Sequence, residues 1–209
     1  MAATDKGIFI QNKVQQSKLH DPNTEKLGTY YLTDNPQHYE IQRTNSFMFY
    51  VEGLNGELNI PDNTYAQANA EDILKISVNS SSVPHFTQNV VEVNRGNNTM
   101  KFAGKPSFGE GSIKLHDFIG AGTKEVLMAW QSKSYDVKTE KVGLARDYKK
   151  TAYLLEYTPE FQLVRSWKLH GCWVSGISES GYTYDNADKN MIDVTIQYDK
   201  AELDYNPED

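Results

Sequence analysis

The sequence predicts an all-β fold: a β-barrel or a sandwich of two packed antiparallel sheets, with one flanking α-helix around residues 121–134 and a long protruding hairpin around residues 87–106. Apolar and polar residues alternate with a period of two along much of the chain, which is typical of half-buried strands. Only one stretch shows the spacing of an amphipathic helix. With 209 residues, the chain is long enough for one domain whose core needs no disulfide or metal.

The clearest strand lies near the C-terminus, where Ile192, Val194, Ile196 and Tyr198 alternate with polar residues. One apolar face and one polar face predict a half-buried antiparallel strand. Two more alternating sets predict strands in the same way, Leu74/Ile76/Val78 and Tyr153/Leu155/Tyr157.

Two further stretches predict strands of the core. Residues 47–51 (FMFYV) are apolar on both faces, which is typical of a central strand. Residues 161–173 predict a bent strand or a pair of strands, and we expect Trp167 and Trp173 to be anchors of the core.

A hairpin is predicted where Val91 and Val93 alternate with polar residues and the chain returns through Met100 and Phe102. Between them, residues 95–99 (RGNNT) tolerate the positive φ angles of turns. The connection is longer than two residues, so its turn type stays open.

The helix is predicted from about Thr123 to Ser134, because Val126, Leu127 and Trp130 form one apolar stripe. Thr123 is a candidate N-cap.

Turn residues dominate three stretches that we expect to be loops or arms: 1–40, 53–70 and 176–190. The acid-rich residues from Asp199 onward predict a tail. We therefore expect an N-terminal extension at 1–40, one β domain at 41–205 and a C-terminal tail at 206–209.

Composition excludes several functions. A net charge of −7 argues against general nucleic-acid binding. The single cysteine, Cys172, excludes an intramolecular disulfide and a multi-cysteine zinc site. A mean hydropathy of −0.64 and the lack of an 18-residue apolar run argue against a membrane span. The first residues have no apolar core, so we expect no secretory signal.

The sequence shows no constellation typical of catalysis. No two of its five histidines stand four residues apart on a helix, as a metal pair would require. No phosphate-binding glycine loop is present, and Asp185, Asp188 and Asn190 lack the spacing of a calcium loop. Cys172 lies in an apolar setting, which predicts a buried, inert thiol. We expect no enzyme activity, no metal and no cofactor.

Residues 82–118 resemble the signature region of tail tube proteins from contractile-tailed bacteriophages, whose fold is shared with the inner tube proteins of type VI secretion systems. The matching elements are a proline, a strand, a Gly/Asn turn, a return strand ending in Ala-Gly, and a phenylalanine. Here they are Pro84, 91–93 (VEV), 96–97 (GN), 101–104 (KFAG) and Phe108.

Other pieces follow in the same order as in that family. They are 45–47 (NSF), the helix ending near Trp130, 171–177 (GCWVSGI) and the strand 192–198. The resemblance extends over roughly residues 43–205.

The resemblance implies a structural virion protein of the phage tail, assembled in the host bacterial cytoplasm. Such a protein forms hexameric rings that stack into the inner tube, a conduit for DNA ejection inside a contractile sheath. The implied partners are further copies, the sheath, baseplate and tail terminator proteins, and, in the lumen, the tape measure protein and genomic DNA without sequence-specific binding; no membrane is implied. One alternative is a baseplate or tube-terminus protein of the same fold. Another, from a different class, is a monomeric β-sandwich module that binds carbohydrate through its aromatic side chains.

Two sets of residues are candidates for assembly. The predicted hairpin would contact another subunit through Val91, Val93, Arg95, Asn97, Asn98, Met100 and Phe102. For the apolar members of this set, the alternative is packing in the core of their own chain. Carboxylates on polar strand faces would line the lumen or an interface, or be ordinary solvated side chains, and the candidates are Glu92, Asp193 and Asp199. An acidic wall would keep DNA mobile because it repels phosphate.

Overall fold

The computed structural model describes residues 41–185 and 187–204, and the chain from Thr44 onward is one compact unit. Its strands are β1 (Phe47–Glu52), β2 (Val78–Ser81), β3 (Phe86–Arg95), β4 (Asn98–Phe108), β5 (Gly111–His116), β6 (Tyr135–Asp136), β7 (Lys141–Val142), β8 (Lys150–Tyr157), β9 (Leu163–Glu179), β10 (Met191–Gln197) and β11 (Lys200–Asp204). Its helices are α1 (Thr64–Ala68), α2 (Ala70–Ser77), α3 (Thr123–Ser132) and α4 (Ala145–Tyr148). The predicted extension at 1–40 and tail at 206–209 lie outside the described residues.

Two antiparallel sheets share the long strand β9. Sheet I has the order β1-β8-β9-β11, and sheet II has the order β9-β10-β5-β2. The all-β fold class predicted from the sequence is confirmed. No helix in the described part of the chain is long and apolar enough to cross a membrane.

Strand β9 is bent, as predicted. Its first half pairs with β8 and β11, and its second half, from Trp173, pairs with β10. Gly171 lies where β9 passes from one sheet to the other. Its φ of +65° lies in the left-handed region that favours glycine. Trp167 packs against the core. The prediction for Trp173 as a core anchor is wrong, because its half-buried ring instead contacts Tyr148 at the surface.

The core lies between the inner faces of the sheets and helices α2 and α3. The alternation in β10 buries Ile192, Val194 and Ile196, as predicted. Helix α3 buries Val126, Leu127 and Trp130, also as predicted. Gly122, not Thr123, is the N-cap; the Thr123 hydroxyl is buried and lies 2.9 Å from the Ser77 hydroxyl.

The strand predicted from Leu74, Ile76 and Val78 is wrong, and so is the loop predicted at 53–70, which contains helix α1. Residues 70–77 form helix α2, and the buried side chains in it are Ala70, Ile73, Leu74 and Ser77. That spacing is helical and leaves Ile76 exposed.

Strand β1 lies at the edge of sheet I, not at its centre as predicted. Its outward face is apolar because Tyr50 stacks on Tyr153 of β8, with ring centroids 4.9 Å apart. The loop predicted at 176–190 and the tail predicted from Asp199 both begin too early, because β9 continues to Glu179 and Lys200–Asp204 form β11.

Glu71, in the first turn of α2, fastens the loop that follows β1. One carboxylate oxygen accepts hydrogen bonds from the backbone N–H groups of Gly53, Leu54 and Asn55 at 2.8, 2.9 and 3.3 Å. We expect Glu71→Gln to lower the free energy of unfolding by about 1–2 kcal/mol. The substitution replaces the charged carboxylate, which accepts the three backbone hydrogen bonds, with a neutral amide that accepts them more weakly. Urea denaturation measures this. The matched control is Asp72→Asn, an exposed change in the same helical turn, and an equal loss there would contradict the prediction.

Candidate assembly surfaces

Strands β3 and β4 form a protruding hairpin and pair only with each other among the described strands. Arg95 pairs with Asn98, so the turn has two residues, Gly96 and Asn97, and the longer connection predicted is wrong. Gly96 has a φ of +63°. At about 3.3 Å per residue, the ten residues of β3 reach about 30 Å.

The hairpin has one apolar and one polar face. Val91 lies opposite Phe102 and Val93 opposite Met100, and these four side chains are 42–50% exposed. On the other face Glu92 lies opposite Lys101 and Asn94 opposite Thr99. The alternative in which these apolar residues pack in the core of their own chain is therefore wrong. An isolated two-stranded hairpin is at best marginally stable in water. We therefore expect another surface to pack against this apolar face.

One aromatic contact within the base of the hairpin and one between the base and the domain fix where the hairpin is attached. Phe86 lies beside Phe108, with ring centroids 5.7 Å apart, and Phe108 meets the edge of Tyr198 at 6.2 Å. The base therefore stands where β10 ends, and the tip with Arg95, Asn97 and Asn98 points away from this attachment.

Sheet II has two open edges. Among the described strands, β2 pairs only with β5, and the second half of β9 pairs only with β10. Unpaired N–H and C=O groups along such edges are templates for pairing with another chain.

The outer face of sheet II is polar. It carries hydroxyl and small side chains such as Ser112, Thr195 and Gly176, which share one cross-strand row. Beside them the Lys114 ammonium lies 3.1 Å from the Asp193 carboxylate. This part of the face therefore consists of small and hydroxyl side chains and one charge-compensated ion pair.

The structure places the three candidate carboxylates on separate elements, and each has a lysine partner. Glu92 lies 3.4 Å from Lys101 in the hairpin. Asp193 is paired with Lys114 of the neighbouring strand, as described above. Asp199, in the turn before β11, receives hydrogen bonds from Lys149 to both oxygens at 2.7 Å. The sequence could not show this compensation, because the partners of Asp193 and Asp199 lie far away along the chain.

Glu202 on β11 anchors the edge of sheet I. Its carboxylate interacts with Lys200 and with His170 of β9, the latter at 3.1 Å. Hydrogen bonds first from Lys200 and then from His170 lower the pKa of Glu202 from 4.5 to about 2.

Because the pKa of Glu202 is lower in the folded chain, its contribution to holding β11 is present above pH 4.5 and is lost as the pH falls from 4.5 toward 2. We expect amide protection in β11, corrected for intrinsic exchange rates, to fall over that range. In Glu202→Gln the protection should be lower at neutral pH and change less on acidification. An unchanged acid profile in that variant would refute the assignment.

The single thiol is buried, as predicted. Cys172 is fully buried, and burial raises the pKa of its thiol to about 12. Within residues 41–185 and 187–204, no three His, Cys, Asp or Glu side chains come close enough to hold a metal ion.

No protein-family model matches this sequence, and no curated protein matches it. Solved structures do match. A chain from the sheath–tube complex of the extracellular contractile injection system PVC has a TM-score of 0.58 and 16% identity, over 83% of this chain and 99% of that chain. The tube-terminating cap of the anti-feeding prophage has a TM-score of 0.57 and 13% identity, over 79% of this chain and 92% of that one. The sheath/tube terminator of PVC has a TM-score of 0.56 and 15% identity, over 79% and 97%.

The fold of this chain is thus similar to that of chains from contractile injection systems. The resemblance to tail tube proteins seen in the sequence is confirmed at the level of the fold.

Proposed function

We propose that this chain is a structural subunit of a contractile tail or injection particle, forming hexameric rings that stack into the inner tube. The observation that carries the proposal is a single domain with an exposed apolar hairpin face and two open edges on one sheet. A self-sufficient monomer would blunt such edges and cover such a face.

Ring closure follows from the two edges. They lie on opposite sides of sheet II, so β2 of one copy can pair with the second half of β9 of the next. A head-to-tail contact of this kind closes into a ring when its rotation divides a full turn. Six copies per ring is the number that the resemblance implies.

In such a ring the outer face of sheet II lines the lumen. Its hydroxyl groups and the Lys114–Asp193 pair form a hydrophilic wall without net positive charge. Phosphate binding depends on uncompensated cations, so DNA would pass without adhering. Asp193 belongs to this wall, while Glu92 and Asp199 remain candidates for interfaces.

The role is mechanical rather than catalytic and needs no cofactor. The tube would conduct DNA during ejection from the virion tail and would be assembled in the bacterial cytoplasm. Its partners would be the sheath, baseplate, terminator and tape measure proteins. A terminal role is the second candidate, since the cap and terminator structures match this chain about as well as the sheath–tube chain does.

Electron microscopy of the purified protein across a concentration series tests the proposal. Long hollow tubes support a tube subunit, and single rings that do not stack support a terminal protein. A persistent monomer that also fails to join preformed tail initiator complexes would overturn both. Retention of that monomer on a polysaccharide resin would favour the carbohydrate-binding alternative.

The lumen assignment has its own test, because the only native cysteine is buried. In Thr195→Cys tubes, we expect the introduced thiol to react with a small maleimide but not with a large polymer-linked maleimide. The same variant as a monomer should react with both, and wild-type protein is the background control. Equal reaction with the large reagent in tubes and monomers would place this face outside the lumen.

A further inference from the structure

The loop that follows β1 contains Asn55 directly before Gly56, the only Asn-Gly pair in the sequence. In such a pair the backbone nitrogen of the glycine can attack the side-chain carbonyl carbon of the asparagine, because glycine has no Cβ to obstruct the approach. Both residues are exposed, so water reaches them. The pair therefore has the chemistry of a deamidation site.

The turn that contains this pair is fixed on both sides. The Glu57 N–H donates a hydrogen bond to the Leu54 carbonyl at 3.2 Å, and Gly56 between them has a φ of +71°. The side chains of Leu54 and Leu58 are buried in the core. Buried neighbours thus hold the exposed pair in one backbone conformation.

Both reacting groups of the pair are engaged by other elements. The Asn55 Oδ1 atom accepts a hydrogen bond from the Glu71 N–H, in the first turn of α2, at 3.0 Å. The Gly56 N–H donates to the carbonyl of Gln67, in α1, at 2.9 Å. Attack requires that the Gly56 nitrogen lose its proton and that the Asn55 side chain turn toward it. Both hydrogen bonds must therefore break first.

Glu71 holds this closed arrangement through its backbone and through its side chain. Its N–H binds the Asn55 side chain, as described above, and its carboxylate accepts from the N–H groups that precede Gly56. Opening of the loop must break these contacts. A group that reacts only in an open form reacts at a rate that follows the open population, when reclosing is faster than the reaction.

We propose that Asn55–Gly56 is a deamidation site that the contacts of Glu71 and Gln67 keep closed in the folded chain. In the open loop the Gly56 nitrogen loses its proton and bonds to Asn55 Cγ. The bond from Cγ to the side-chain nitrogen breaks, and ammonia leaves. Water then adds to either carbonyl of the cyclic imide, which leaves aspartate or isoaspartate at position 55.

The products oppose the return of the loop to its closed form. Isoaspartate lengthens the backbone by a methylene group between Leu54 and Leu58, whose side chains are both buried. Aspartate adds a negative charge beside the Glu71 carboxylate, which lies 3.3 Å from the Asn55 nitrogen. An opening that leads to reaction is therefore irreversible. The inference concerns residues of a single chain and is independent of the proposed tube function.

Peptide mapping by mass spectrometry, after incubation at mildly alkaline pH, tests the site, and isoaspartyl methyltransferase detects the isoaspartate. In wild-type protein unfolded in guanidinium, we expect Asn55 to deamidate faster than any other asparagine. In the folded protein the rate at Asn55 should be at least about tenfold lower. Equal rates in the two states would overturn the closed arrangement. An unfolded chain in which Asn55 is not the fastest would overturn the site.

Glu71→Gln tests the role of Glu71 in the folded protein. The weaker anchor raises the open population, so deamidation of Asn55 should become about 5–30-fold faster. Asp72→Asn, the exposed change in the same helical turn, is the matched control and should leave the rate within about twofold. Asn55→Gln should remove the fast reaction, because the longer side chain cyclises more slowly. A rate in Glu71→Gln equal to that of wild type would overturn the role of Glu71.

Refolding tests the consequence for the loop. Wild-type chains that are partly deamidated in guanidinium are refolded by dilution, and the folded and aggregated fractions are mapped separately. We expect isoaspartate at position 55 to be at least about fivefold more abundant in the aggregated fraction. An equal content in both fractions would overturn the claim that the modification prevents closure of the loop.

Discussion

Replacing Gly171 with alanine is expected to lower the free energy of unfolding by about 2–4 kcal/mol, through left-handed backbone strain and a steric clash. The backbone here has a φ of +65°, and an added Cβ would lie 2.3 Å from Asp199 Oδ2. The Asp199 carboxylate must shift to make room for the added Cβ, which disturbs its ion pair with Lys149. Since β9 belongs to both sheets, strain at this residue affects both.

Urea denaturation followed by tryptophan fluorescence measures the loss. Gly181→Ala is the matched control, because nothing lies within 4 Å of a Cβ there, and its stability should stay within about 0.5 kcal/mol of wild type. Introducing Gly171→Ala into the Asp199→Ala variant separates the steric clash from the backbone strain. In that background the carboxylate is absent, so the substitution should cost only the backbone strain of about 1–2 kcal/mol. Equal stability of Gly171→Ala and Gly181→Ala would refute this account of the bend.

Helix α2 shows why one element was misassigned from the sequence. Leu74, Ile76 and Val78 fit a period of two, while Ile73 and Leu74 with Ala70 and Ser77 fit a helix. What decides is the burial of Ser77, a polar residue that hydropathy patterns place outside. Its hydroxyl donates to the Ile73 carbonyl at 2.6 Å and meets the Thr123 hydroxyl, so it is satisfied inside the core.

Strands β10 and β1 show what the period-two alternation of apolar and polar residues can and cannot predict. In β10 the alternation separates a core face from a polar face, and that local property predicts the strand. In β1, apolar residues on both faces indicated a central strand. The outward face instead owes its apolar character to the pairing of Tyr50 with Tyr153, about a hundred residues away in the sequence, which no local pattern reveals.

The hairpin itself follows from local alternation and a Gly/Asn turn, but its exposure does not. Val91 and Val93 alternate with polar residues just as buried positions do. Only the arrangement of the other strands shows that no part of the described domain covers them. The alternation that normally predicts a face buried in the core here belongs to a face that is exposed in the single chain.

Replacing Gly104 with valine is therefore expected to abolish tube formation while leaving the domain folded. Gly104 stands against the β-bulge between Gln88 and Val90, and a Cβ there would lie 2.5 Å from the carbonyl oxygen of Asn89. Backbone atoms must shift to relieve that contact, which changes the direction of the hairpin beyond the bulge. A misaligned hairpin would miss its partner at every subunit of a ring at once.

Sedimentation and electron microscopy report assembly, and urea denaturation reports folding. Ala103→Val is the matched control: it adds methyl groups at the neighbouring exposed position but leaves the bulge intact, so tubes should form. The free energy of unfolding of both variants should stay within about 1 kcal/mol of wild type, because the hairpin buries little in the single chain. Normal tubes from Gly104→Val would show that hairpin geometry is dispensable for assembly. A large loss of stability would instead make the hairpin part of the domain's own structure, because then the free chain, and not only the assembly, would depend on it.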